Sequence, residues 1–105
     1  MKSLLKGSKY GGKMYIILVY DIVMDQQGRR ILPKVFKTCK KYLTHIQNSV
    51  FEGEISVSQK LKLQLELQSF IRQDKDSLIV FGSRNERWLE KEFWGMEDDK
   101  MSRFI

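Results

Sequence analysis

The chain reads as an α+β fold, an antiparallel sheet carrying two helices on one face. Three observations predict it. The runs Tyr15 to Tyr20 and Leu78 to Phe81 are uninterrupted and rich in β-branched and aromatic residues, as strands buried on both faces are. Two other stretches space apolar residues three and four apart, the period of a helix with one buried side. A strand-forming stretch broken by a turn lies between those helices, giving the order strand, helix, strand, strand, helix, strand.

The elements follow in order. Met14 opens MYIILVYDI, the expected central strand. Gly28 punctuates the loop after it, and Leu32, Val35, Phe36, Cys39 and Leu43 form the apolar stripe of a first helix, with lysines on the other side. Pro33 fits a helix best in its first turn, where a missing N–H removes no intrahelical bond, so the helix is predicted to start near Arg30. HIQNSVFEGEIS reads as a hairpin turning at Asn48 and Ser49, with a second candidate bend at Gly53. In SVSQKLKLQLELQSFI, Leu61, Leu63, Leu65 and Leu67 alternate as in a half-buried strand. Unbranched helix formers, a capping Ser58 and the continuing stripe Leu63, Leu67, Phe70 and Ile71 favour a helix instead. Asp74, Lys75 and Asp76 make a polar break before SLIVFGS, the expected last buried strand of the sheet.

This order is that of a ferredoxin-like βαββαβ sandwich. RWLEKEFW, residues 87–94, reads as a short edge or swapped strand, an extra C-terminal strand in a dimer. Residues 1–13 carry four lysines, three glycines and no acid, and read as a flexible basic extension. The domain itself spans 14–95, and 96–105 is a tail.

With 105 residues, 42% hydrophobic, the chain suits one core. A single cysteine, Cys39, allows no internal disulfide and is expected as a packed thiol in a reducing setting. No apolar run is long enough for a bilayer, and no secretory signal stands out at the start, so a soluble cytoplasmic protein is expected. Residues 1–50 hold ten Lys/Arg against two Asp, whereas residues 51–105 hold nine against eleven acids. The basic half is a footprint for a polyanion.

Asp21 is the most informative position, because a carboxylate closes an otherwise apolar strand that would expel it from a purely structural core. It reads either as a loop-starting acid satisfying backbone N–H groups or as a functional carboxylate. Arg29 and Arg30 stand at a helix start that favours anions, where a phosphate could be held near Asp21; the alternative is ordinary solvated charge. One aspartate is a poor site for a hard cation, and two Asp21 side chains across a two-fold axis would remove the deficit. His45, the only histidine, reads as a packed ring rather than a base. No zinc spacing, phosphate-binding glycine loop or Ser/His/Asp set is present in the sequence. Trp88, Phe93 and Trp94 read as packing residues before base-stacking ones.

Taken together, YIILVYDI, GRRILPKVFKTCKKYL, HIQNSVFEGEIS and KDSLIVFGS resemble the CRISPR-associated small endoribonuclease family, the one numbered two among CRISPR-associated proteins, over roughly Met14 to Trp94. The resemblance implies a homodimer in which Asp21 of each subunit holds magnesium, or another divalent ion such as manganese, for cleavage of single-stranded RNA or of DNA. It also implies a central place in the spacer-acquisition complex, bridging dimers of an integrase partner along incoming DNA. Tyr20 and Asp21 match the strand-end pair, Arg29 and Arg30 the basic pair opening the first helix, and Phe51 the family's aromatic of the second strand region. Of these, Asp21 is the implied catalytic and metal residue, and Tyr20, Arg29, Arg30 and Phe51 the implied nucleic-acid contacts. His45 stands where many members carry an arginine, and whether Asp25 helps the metal stays open. Two other readings remain: a non-catalytic DNA-binding scaffold of the integration complex, and a toxin-like RNA nuclease of similar fold.

Overall fold

The computed structural model describes residues 12–84 together with 92, 94 and 95. The element order is β1 (Lys13–Asp21), α1 (Gln26–Tyr42), β2 (Thr44–Gln47), β3 (Val50–Ser56), α2 (Val57–Gln68) and β4 (Ser77–Ser83). The sheet runs β2-β3-β1-β4 with every pairing antiparallel, the ferredoxin-like arrangement expected. Most of the basic extension, the tail and the expected strand over 87–94 lie outside the described residues.

Strand alternation sorts the sheet into two faces. On one, Ile16, Leu18, Tyr20, Phe51 and Ile55 join Ile31, Val35 and Cys39 of α1 and Leu63 and Leu67 of α2 in a single core. Leu18 pairs with Phe51, and Ile16 with Gly53. Gly53 therefore lies within β3 and bends nothing; a Cβ there would come within 3.3 Å of Leu43. The hairpin turns at Asn48 and Ser49 as expected, with Asn48 at φ 42, a value asparagine tolerates better than most residues.

Three expectations about the elements change. α1 begins at Gln26 rather than near Arg30, because Asp25 caps it by accepting from the Gly28 N–H at 2.7 Å. Pro33 thereby falls inside the helix, where the Arg29 carbonyl loses its usual partner four residues on. α2 is capped by Ser56, not Ser58: Ser56 and Gln59 close a reciprocal capping box. β4 is an outer strand among the described residues rather than a buried one, and Ile79 and Phe81 are 50% and 54% exposed.

The second face of the sheet carries Ile17, Val19, Val50, Ile79 and Phe81, with Glu52 and Glu54 on β3 and Asp21 at its end. Tyr15, on this face, donates a hydrogen bond to Glu52. Among the described residues no helix is long and apolar enough to cross a membrane.

Candidate active site at the end of the first strand

β1 runs out at Tyr20 and Asp21, which alternation sends to opposite faces. Tyr20 turns under α1, is 4% exposed and stacks on Phe51 with centroids 6.1 Å apart. Burial pushes its phenol up to about 12. Asp21 is exposed on the other face, paired through its backbone position with Ser77. Its carboxylate has no side-chain partner among the described residues.

The chain leaves Asp21 through a loop that Arg72 and Asp76 clamp. Asp76 accepts from the Val23 N–H at 2.9 Å, and Arg72 donates to the Val23 carbonyl at 2.9 Å. Both polar groups of one peptide residue, two positions beyond Asp21, are thus tied to the α2–β4 connection. Arg72 also donates to both oxygens of Asp25 at 2.7 and 2.8 Å and to Asp76 through Nε and Nη2 at 2.9 and 3.0 Å. Lys75 reaches Asp25 at 3.1 Å. Gly28 completes the fit, since a Cβ there would sit 1.8 Å from the Val23 carbonyl oxygen.

This clamp answers for two of the nearby acids. Hydrogen bonds from Arg72 first, then from the Gly28 amide and Lys75, hold the Asp25 carboxyl far below the usual carboxylate range. Arg72 likewise holds Asp76 down to about 2. Both carboxylates are spent on arginine and backbone, whereas Asp21 is exposed and without a side-chain partner among the described residues. Among the described residues no three His, Cys, Asp or Glu side chains gather to hold a metal.

Arg29 and Arg30 are exposed in the first turns of α1, followed by exposed Lys34, Lys37, Lys40 and Lys41. Lys41 is drawn toward Glu66 of α2 at 2.5 Å, and Lys34 and Lys40 lie over the rings of Phe70 and Phe36 at 5.9 and 5.8 Å. Acids are absent from the helix, so its outer side is cationic along its length. Phe51 stands elsewhere: it is fully buried, 5.4 Å from Phe36 and 4.9 Å from His45 by centroid. Its register opposite Leu18 places it beneath α1, so its ring offers no face to a nucleic acid. His45 packs against Phe36 and Phe51, and its Nε2 lies 2.8 Å from the Asn48 carbonyl. A carbonyl only accepts, so that nitrogen carries the proton.

Sequence reasoning passed over Arg72, Lys75 and Asp76. The only signal was the polar break at 74–76, which reads as a turn in any surface loop. Cys39 is buried as expected, and burial pushes its thiol up to about 12.

Residues 14–91 match the family described as CRISPR associated protein Cas2. A CRISPR-associated endoribonuclease Cas2 of Fusobacterium nucleatum is 53% identical over 95 residues, 90% of each chain. One from Dictyoglomus turgidum is 36% identical over 92 residues, 88% of this chain and 100% of its own. A crystal structure of a Cas2 protein superposes with a TM-score of 0.71 at 31% identity, covering 82% of this chain and 91% of that one. For Cas2 of Streptococcus pyogenes the TM-score is 0.64 at 27% identity, with 75% and 99% covered.

Proposed function

The chain belongs to the CRISPR-associated Cas2 family, and we propose that it is a metal-dependent nuclease cleaving phosphodiesters of single-stranded RNA or of DNA. The endoribonuclease names of its relatives support the chemistry. One observation carries the site: an exposed, unengaged Asp21 at the end of the central strand, while Asp25 and Asp76 are occupied by Arg72.

A carboxylate is the hard oxygen donor that magnesium or manganese takes, but one falls short of the several oxygens such ions gather. The apolar second face of the sheet supplies a physical reason for a partner copy. Ile79 and Phe81 are half exposed there beside Ile17 and Val19, and burying that surface against itself would form a symmetric homodimer. Asp21 lies at the edge of the same face, so the two-fold axis would bring two carboxylates toward each other. A divalent ion held between them would lower the pKa of a bound water and neutralise charge on the phosphate. Arg29, Arg30 and the α1 lysines hold the polyanion by its backbone, which favours affinity over sequence.

In the cell this dimer serves spacer acquisition, lying along DNA between dimers of an integrase. A purely structural form of that role has an observation in its favour: among the described residues no side chain that could act as a general base is hydrogen-bonded or ion-paired to Asp21, and no three potential metal ligands gather. A toxin-like RNA nuclease would keep the chemistry and need no integrase. The deciding experiment is cleavage of labelled single-stranded RNA and duplex DNA by wild type and Asp21→Ala, with magnesium and with chelator. Magnesium-dependent cutting lost in the mutant is the expected result. Nucleic-acid binding with no cutting by either protein would leave the scaffold.

A further inference from the structure

At the end of the sheet that carries Asp21, but on the helix side, lies a hollow of about 550 Å³, within the roughly 300–1,000 Å³ span of small-ligand sites. Tyr20, Leu32, Pro33 and Phe36 make its apolar walls, and Lys37 and Ser49 line it as well. We propose that this hollow receives one unpaired nucleobase of a single strand whose phosphates rest on α1. The inference builds on the nucleic-acid reading above and adds a base-holding subsite.

Two independent features favour a base over an apolar side chain. The first is charge. Lys37 lies in the hollow's lining, and Arg30 stands two turns earlier on the same helical stripe, about 10 Å away along the axis. An apolar slot beside cations on a helix without acids suits a strand that offers a flat ring and a negative backbone together. The second is Pro33. A proline inside a helix costs about 3 kcal/mol, and this one is exposed at the eighth position of α1, on the wall of the hollow. Its rigid ring offers a flat surface to stack on. A position that breaks a local rule at the rim of a hollow is where function is expected.

The test compares a single strand with an abasic strand of equal length and phosphate count, by fluorescence anisotropy. Wild type should prefer the base-bearing strand by about tenfold, the scale of one base stacked on an aromatic wall. Pro33→Phe regains the helix N–H and fills the hollow, so it should fold at least as well and bind both strands alike. Pro33→Ala regains the N–H but removes one wall without filling the hollow, so it should reduce the preference without abolishing it. Lys37→Gln should weaken both strands equally and flatten the salt dependence. A preference that survives in Pro33→Phe would overturn the proposal. Equal binding of both strands by wild type would also overturn it, and would hand the hollow to an apolar side chain of a protein partner. Binding of neither strand would overturn the nucleic-acid reading itself, so the two failures are distinguishable.

Discussion

Arg72→Ala should destabilise the protein far more than loss of a surface arginine, because of what it leaves behind. The Arg72 side chain is 12% exposed, and that of Asp76 is wholly buried. Without the guanidinium, Asp76 keeps the amides of Val23 and residue 72 but loses two charge-assisted bonds and its counter-charge. Removing one member of a buried pair costs about 3–5 kcal/mol, and the two surviving amides place this case near the lower end, about 3 kcal/mol. The link to the more exposed Asp25 adds little. For a domain of this size about 3 kcal/mol corresponds to a fall in Tm of roughly 12–24 °C. Urea denaturation at neutral pH, read at constant m-value, measures it. The pH dependence has a definite sign. Asp76 in the folded state sits at about 2, below its ordinary 3.8, so its contribution is complete above the ordinary value and fades as pH falls through about 2. The gap between wild type and Arg72→Ala should therefore narrow on acidification below about pH 4. A loss under about 1 kcal/mol, or a gap that widens in acid, would refute the assignment of Arg72 and Asp76 as a buried clamp.

Other outcomes follow from the same geometry. Asp21→Ala removes an exposed, unpartnered carboxylate, so its stability should stay within about 0.5 kcal/mol of wild type while metal-dependent cleavage disappears. Phe81→Glu puts a charge on the open sheet face at a 54% exposed position; sedimentation should show a monomer with unchanged circular dichroism, and an intact dimer would displace the interface to another surface. Phe51→Ala empties the centre of the core at a cost of about 3–5 kcal/mol. Once corrected for the unfolded fraction, its affinity for an abasic strand, which does not use the hollow walled by Tyr20 and Phe36, should match wild type, and a separate loss of that affinity would return Phe51 to the binding surface.

Periodicity made most of the fold legible. The apolar run of β1, the α1 stripe through Val35 and Cys39, and the Asn48–Ser49 turn are local signals, and each element is where its own residues put it. The errors arose where a distant residue decides. Asp25 can cap α1 early because Arg72 and Lys75, near fifty residues on, hold its carboxylate in place, and that drew Pro33 into the helix interior. SLIVFGS has the composition of a buried strand, yet its odd positions face away from both helices. No pattern within the segment distinguishes an apolar face waiting for a partner from one already covered.

The site divides along the same line. Asp21 stands out as a candidate because a charge ending an apolar strand violates the local pattern, and such violations point to function; the structure adds that it is exposed. Asp25 could not be assigned from sequence, since an acid four residues beyond Asp21 in the same loop looks equally suited to a metal. Its neighbours separate the two. Asp25 is engaged by Arg72 and Lys75, whereas Asp21 is exposed with no side-chain partner among the described residues. Arg72 thus does more than hold a loop. Its hold on Asp25 and Asp76 leaves neither free to join Asp21, so under the proposed metal site the second carboxylate would come from another copy. Metal affinity should accordingly fall when Phe81→Glu breaks the dimer, although no residue near Asp21 has changed.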